Sequence, residues 1–313
     1  MTLHTFHGPP PASLGIALEE FEVQFRYPLG TDATFSISHG REYITFFSAI
    51  GDATLVVAEH QGRVLGTLAA AIRPVRFPDG TAQRVAYLGD LKVTPSARGG
   101  VVLGRILRTM HEHLATPSGG RAYGVVMDGT GRIPPSYTGR LAVPSFERIA
   151  QSTILQIPTT LAASAPAREV SADEFAGIAA RLVPLGFAPI GGNALLRSQM
   201  IPVYLANDGA CGCIEDTQLA KRLLASPGVE IRAAHLSCFR FRTAKDGALL
   251  LRQAAVRCGE VNIPTLFVAV PTAMAAALMA ALGESAVRRA KATVFGCGFG
   301  AETQDWWLDT AEI

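Results

Sequence analysis

The chain has 313 residues, 28 of them basic and 26 acidic, for a formal net charge of +2. That near balance excludes a general attraction to nucleic acid or to an anionic membrane, so a phosphate partner would have to be gripped locally. Hydrophobic residues make up 49% of the chain and mean hydropathy is +0.25, yet the excess is alanine, leucine and valine spread without a run long enough to span a bilayer.

The length predicts two domains, with one large domain the alternative. The opening MTLHTFHGPPPASLG reads as a Pro-rich tail and lacks the basic flank and apolar stretch of a secretory signal, which makes the cytoplasm the expected compartment. Five cysteines, Cys211, Cys213, Cys238, Cys258 and Cys297, are an odd set without a second cluster of zinc-ligand spacing and fit a reducing environment. The CGC at Cys211 to Cys213 reads as ordinary loop thiols.

In chain order, LEEFEVQFRYPLG opens the first structured segment. ATLVVAEH and RVLGTLAAAIRPV, separated by QGR, read as a hairpin, and FPDGTAQ turns the chain into RVAYLGDLKV, giving an antiparallel meander. In that last strand, alternation places Val85, Tyr87, Gly89, Leu91 and Val93 on one face and Ala86, Leu88, Asp90 and Lys92 on the other. Leu103, Ile106, Leu107, Met110 and Leu114 then recur at helical spacing. RAYGVVMDG and STILQIPTTL read as strands. Pro158 to Phe175 reads as a linker ending in a helix start, with Ser171 ahead of Asp173 and Glu174. Beyond it, strand AAHLSCFRF, helix ALLLRQAAVRCGEV, strand TLFVAV, helix AMAAALMAAL and strand KATVFGCG repeat the element order of the first half, though not its residues. HEHL at His111 to His113 reads as a solvated helix surface, and DWW at Asp305 to Trp307 as an anchor against the core.

The joint YLGDLKVTPSARGGVVLGRILRTM carries the functional signal. A strand that enters a helix through glycines leaves the first helical N–H groups without intrahelical partners and free to bind a phosphate. Arg98, Gly99, Gly100 and Gly104 stand at this junction, with Arg105 in the first helical turns. Gly-Gly alone marks turns of every kind. The longer pattern V-x-P-x-x-R-G, formed by Val93, Pro95, Arg98 and Gly99 between an alternating strand and an amphipathic helix, is more specific.

On those residues the sequence resembles the GNAT superfamily of acyl-CoA-dependent N-acyltransferases over roughly residues 40 to 157. Val101 and Leu103 stand where the family's later glycines fall, and Gly104 comes one position late. The resemblance implies an α/β (α+β) fold of two GNAT-like domains, residues 1–160 and 161–313. Each would be a mixed, mostly antiparallel sheet flanked by helices, the second a degenerate copy. It implies acetyl-CoA as acyl donor, its pyrophosphate at Arg98, Gly99, Gly100, Gly104 and Arg105 and its pantetheine along the edge Leu91, Lys92 and Val93. A backbone N–H near Val93 would polarise the thioester carbonyl.

Acyl transfer to an amine needs a neutral amine, a polarised carbonyl and a proton for the leaving thiolate. Asp90 is the expected base, with a structural carboxylate as the equal alternative, and Gly89 occupies the place where some family members carry a glutamate. Tyr137 is the expected acid, with Arg140 nearby as a cap or a solvent contact. The expected reaction is direct transfer of acetyl to a small-molecule amine, without nucleic acid, membrane or metal. Two other readings stay open: a noncatalytic acyl-CoA-binding or regulatory module, favoured by Gly89 and the altered glycines, and a tRNA-dependent aminoacyl transferase, disfavoured by the absence of a basic stripe.

Overall fold

The structure, a computed structural model, describes residues 1–313 other than 30–32, 99, 131, 141, 161–167, 183–185, 226–228, 284–286 and 301–303. Gly99 and residues 161–167 of the expected linker thus lie outside the described residues. The first half contains β1 (Thr2–Phe6), α1 (Ala12–Glu22), β2 (Tyr27–Leu29), β3 (Ala33–Ser38), α2 (Thr45–Ser48), β4 (Asp52–His60), β5 (Arg63–Arg76), β6 (Ala82–Val93), α3 (Val101–Leu114), β7 (Ala122–Met127) and β8 (Glu147–Pro158). The second contains α4 (Ala172–Arg181), β9 (Ala188–Pro189), α5 (Ala194–Arg197), β10 (Val203–Ala206), β11 (Ala210–Glu215), β12 (Arg222–Ala225), β13 (Val229–Glu230), β14 (Ala234–Phe241), α6 (Ala244–Glu260), β15 (Thr265–Pro271), α7 (Thr272–Leu282) and β16 (Arg288–Cys297).

Local chemistry accounts for most of the predicted elements. The β4–β5 hairpin turns at Gln61 and Gly62, with φ of 51° and 78°, the two left-handed residues that a tight hairpin requires. Ser171 caps α4 by accepting from the Glu174 N–H. The opening segment is no tail: Thr2 to Phe6 pair antiparallel with β4, and the prolines form the connection to α1, whose N-cap is Pro11. Five residues before a Gly-Pro turn are too short to register as a strand by pattern. CGC is likewise no loop, because Cys211 and Cys213 are buried in β11.

One mostly antiparallel sheet runs β1-β4-β5-β6-β7-β16-β8-β15-β14-β11-β10, with β9 paired to β5. Its parallel pairs are β6·β7, joined through α3, and β14·β15, joined through α6. The two halves exchange strands: β16 pairs with β7, β8 pairs with β15, and β8 and β16 pair with each other. A smaller sheet, β13-β12-β3-β2, also takes strands from both halves. α3 packs Val102, Ile106, Leu107 and Met110 on one face of the first-half sheet, while Tyr43, Phe47, Tyr87 and Trp306 fill the other. Among the described residues no helix is long and apolar enough to cross a membrane.

Candidate active site

The site begins with a departure from strand geometry. Thr67 to Ala69 of β5 face Lys92 to Gly89 of β6 with a register shift between them, and Asp90 sits at φ 56°. The extra residue is a β-bulge. Strict alternation would put Asp90 beside Leu88, but the bulge moves Asp90 and Lys92 to the face of Tyr43, while Leu91 and Val93 join Leu88 against the α3 cluster. The expected facial assignment is corrected on this point. A two-residue period cannot anticipate an inserted residue.

The bulge coincides with a splay. The parallel ladder of β6 and β7 runs from Ala86↔Ala122 to Leu88↔Gly124 and stops there, though β6 continues to Val93 and β7 to Met127. Beyond Leu88 the edge of β6 that faced β7 therefore opens onto a slot. Gly124 permits the close approach at its apex, since a Cβ there would lie 3.0 Å from the Leu88 carbonyl oxygen. The slot leads to the N-terminus of α3, where Gly100 is the N-cap and no side chain caps the helix. Those first N–H groups therefore have no side-chain cap.

On the opposite face lies a buried ionic cluster. Lys92 Nζ donates to Glu22 Oε1 at 2.9 Å and to Asp90 Oδ2 at 3.1 Å. His39 Nδ1 lies 2.7 Å from Glu22 Oε1 and 3.1 Å from Asp90 Oδ2, and the His39 N–H donates to Glu22 Oε2 at 2.7 Å. Tyr43 donates to Asp90 Oδ2 at 2.8 Å, and Thr67 Oγ1 donates to the Asp90 carbonyl at 3.0 Å, which pins the bulge. Burial alone would raise the Asp90 carboxyl; Lys92, His39 and Tyr43 outweigh it and hold it at about 2. Glu22, His39 and Asp90 stand close enough to ligate a metal ion, but the Lys92 ammonium already occupies the cationic place between the two carboxylates. A metal does not fit.

Lys221 is one ring away. Its Nζ lies 4.8 Å from the centre of the Phe46 ring, which in turn contacts the His39 ring at 5.1 Å, and it donates to a backbone oxygen of Ile313, the last residue of the chain. Asp90, Glu215 and Glu312 favour its charge, but less than burial and Arg197 oppose it. Burial, then the Arg197 guanidinium, push this ammonium down to about 7. Behind it, Arg197 binds Glu215 through two hydrogen bonds of 2.7 and 2.8 Å, and Glu312 joins Arg197 to Arg73.

The sequence-predicted residues divide between the two faces. Leu91 and Val93 are half-buried on the slot's side, whereas Lys92 reaches it only through its backbone, its side chain being held by Glu22 and Asp90. Arg98, Gly100, Gly104 and Arg105 gather at the start of α3, with both arginines exposed. Tyr137 packs half-buried in the α3 cluster, away from the Asp90 carboxylate, and burial raises its phenol to about 12. Arg140 is exposed and donates to the Ser136 carbonyl. At Gly89 a Cβ would meet the Phe47 ring at 2.9 Å, so aromatic packing takes the volume a glutamate would need. Pattern reading missed Glu22, His39, Tyr43 and Lys221. Glu22 alone carried a signal, standing on the apolar stripe of Leu14, Leu18 and Phe21 where only a paired carboxylate is tolerated.

No family model and no curated protein matches this sequence. Solved structures do match it in fold. N-myristoyltransferase of Saccharomyces cerevisiae with bound myristoyl-CoA aligns with a TM-score of 0.64 at 8% identity over 96% of this chain and 84% of that one. A GCN5-related N-acetyltransferase from Anabaena variabilis aligns with a TM-score of 0.53 at 14% identity over 94% of this chain and 72% of that one. The likeness is one of fold, the mixed and mostly antiparallel sheet flanked by helices that the GNAT resemblance implied.

Proposed function

We propose that this chain, which has the GNAT fold in tandem, is an acyl-CoA-dependent N-acyltransferase that passes an acyl group directly to an amine. The observation that carries the proposal is the slot: a parallel ladder broken after Leu88↔Gly124, a bulge at Asp90, and a helix N-terminus without a side-chain cap beyond it. An amide-rich pantetheine matches the open edge of Leu91 to Val93, and a pyrophosphate matches the start of α3 with Arg98 and Arg105. The bound myristoyl-CoA of the yeast N-myristoyltransferase structure supports an acyl-CoA donor in this fold. The donor we propose is acetyl-CoA and the acceptor a small-molecule amine.

The proton inventory refines the roles. An amine resembling lysine loses its proton near about 10.4. The Asp90 carboxylate, held at about 2 by Lys92, His39 and Tyr43, is a much weaker acceptor for that proton than the Lys221 amine, whose ammonium burial pushes down to about 7. We therefore assign Asp90 to orientation of the bulge and to the local field, and Lys221 to acceptance of the amine proton. Tyr137, in the α3 cluster with Leu91 and Val93, is the proposed proton source for the leaving thiolate.

The test is calorimetric titration with acetyl-CoA, longer acyl-CoAs, free coenzyme A and ATP, on the wild-type protein and on Gly100→Glu. A Cβ at Gly100 has its nearest neighbour, the Ala97 carbonyl, at 3.5 Å, so the substitution adds charge rather than strain. It should weaken coenzyme A binding roughly tenfold or more with an unchanged circular dichroism spectrum. Binding that ignores Gly100→Glu would place the cofactor elsewhere. Wild-type binding without thiol release for any amine would favour the noncatalytic module, a reading to which the tightly paired Asp90 lends support.

A further inference from the structure

The second half repeats the strand, bulge and helix of the first. Its parallel ladder begins at Ala234↔Leu266, as the other begins at Ala86↔Ala122. Four residues past each start lies a residue of positive φ, Cys238 at 52° and Asp90 at 56°. Each opposes a register shift in the neighbouring strand, between Cys211 and Cys213 of β11 in one case and between Thr67 and Ala69 of β5 in the other. The β14·β15 ladder also ends early, at His235↔Phe267, although both strands continue. A second slot therefore exists.

This slot is filled by the chain itself. Asp309 Oδ1 accepts from the Cys238 N–H at 2.7 Å, and the Cys238 thiol lies 3.8 Å from Asp309 Oδ2. Thr310 Oγ1 donates to the Phe267 carbonyl of β15 at 3.2 Å and lies 3.0 Å from His235 Nδ1 of β14, so it bridges the two splayed strands at the point of separation. Trp307 packs edge-on against Phe241 at the end of β14. The start of α6, open to a ligand in the corresponding α3, is closed by Thr243, whose Oγ1 accepts from the Asp246 N–H. From this seat the segment reaches the first half, where Glu312 pairs with Arg73 and its carbonyl accepts from Tyr87 at 2.6 Å.

We propose that the second slot is a binding site whose ligand is residues 307–310 of the same chain, and that Asp309 and Thr310 are positioning residues that hold Glu312 and Ile313 against the candidate active site. The segment uses the bulge N–H and the splayed edges, the features that an acyl-CoA would use in the first half. One chain therefore binds one coenzyme A. The comparison between slots rests on the acyl-CoA reading; the seating of the segment does not.

Hydrogen–deuterium exchange on full-length wild type, Asp309→Ala and Asp309→Asn tests the seat, alongside acetyl-CoA titration and steady-state kinetics. In Asp309→Ala the amide of Cys238 should exchange roughly tenfold faster or more, and kcat should fall while the coenzyme A Kd stays unchanged. Asp309→Asn, which keeps an oxygen acceptor, should restore both. Should Asp309→Ala fail to fold, Thr310→Val with the same readouts takes its place. Unchanged exchange at Cys238, two coenzyme A molecules per wild-type chain, or binding retained in Gly100→Glu and abolished by Cys238→Tyr would overturn the proposal. Absence of any coenzyme A binding to wild type would refute the acyl-CoA reading alone, leaving exchange to decide the seat.

Discussion

Lys92 and Lys221 are both buried lysines, and their surroundings send them in opposite directions. Burial opposes the Lys92 charge, but Asp90 and Glu22 hold it protonated, above the ordinary lysine range. Lys92→Met would strand two carboxylates, so it should cost about 3–5 kcal/mol in chemical denaturation. Asp90, which in wild type contributes stability above about pH 4 that is lost as pH falls through about 2, should then begin to fail at higher pH. Lys221 is shifted the opposite way from Lys92. Its folded value of about 7 lies below the unfolded value of about 10.4, so the unfolded chain holds the extra proton between them and stability rises with pH across that window. Lys221→Met should accordingly raise the melting temperature at pH 7, by roughly 2–4 °C for each kcal/mol relieved, and much less at pH 10. If Lys221 takes the amine proton, the same variant should lose the rising limb of kcat/KM near pH 7. A stabilised variant with an unaltered pH profile would restrict Lys221 to a structural role.

At the scale of elements, the segments legible in the sequence were those with a strong local period. β4 to β6, α3, β7 and the series β14-α6-β15-α7-β16 all combine an apolar pattern with Gly, Pro or Asx punctuation. The start of α3 was also legible, because glycines between an alternating strand and an amphipathic stretch mark a helix entry, and Gly100 is its N-cap. The Asp90 bulge was not, since its cause is tertiary: Thr67 fixes its carbonyl, Tyr43 and Lys92 hold its carboxylate, and Phe47 fills the space over Gly89. The short elements β9 to β13 and α5 escaped for another reason. Several are two to four residues long and take their register from partners far away, as when Arg222 to Ala225 pair with Ser38 to Phe35.

For the molecule as a whole, the repeated order of elements suggested two similar halves, and the structure contains two similar slots. Their strand exchange could not be read from the pattern, because a strand's period specifies its faces and not its neighbours. The expected division at residues 160 and 161 separates β7 from β16 and β8 from β15. Residues 1–160 expressed alone should therefore expose an unpaired β7 edge and aggregate or stay partly unfolded, while coexpression with residues 161–313 should recover a soluble complex. Gel filtration and circular dichroism of the two preparations would check this, and a monomeric, fully folded 1–160 would contradict it. The exchange also sets a timetable. Val125 meets Val294, a partner synthesised roughly 170 residues later, so at about 5–20 residues per second the nascent β7 edge waits on the order of 10–30 s for its cover. During that interval the first half is a client for chaperones, and slowing translation past β8 would lengthen its exposure without changing a single native contact.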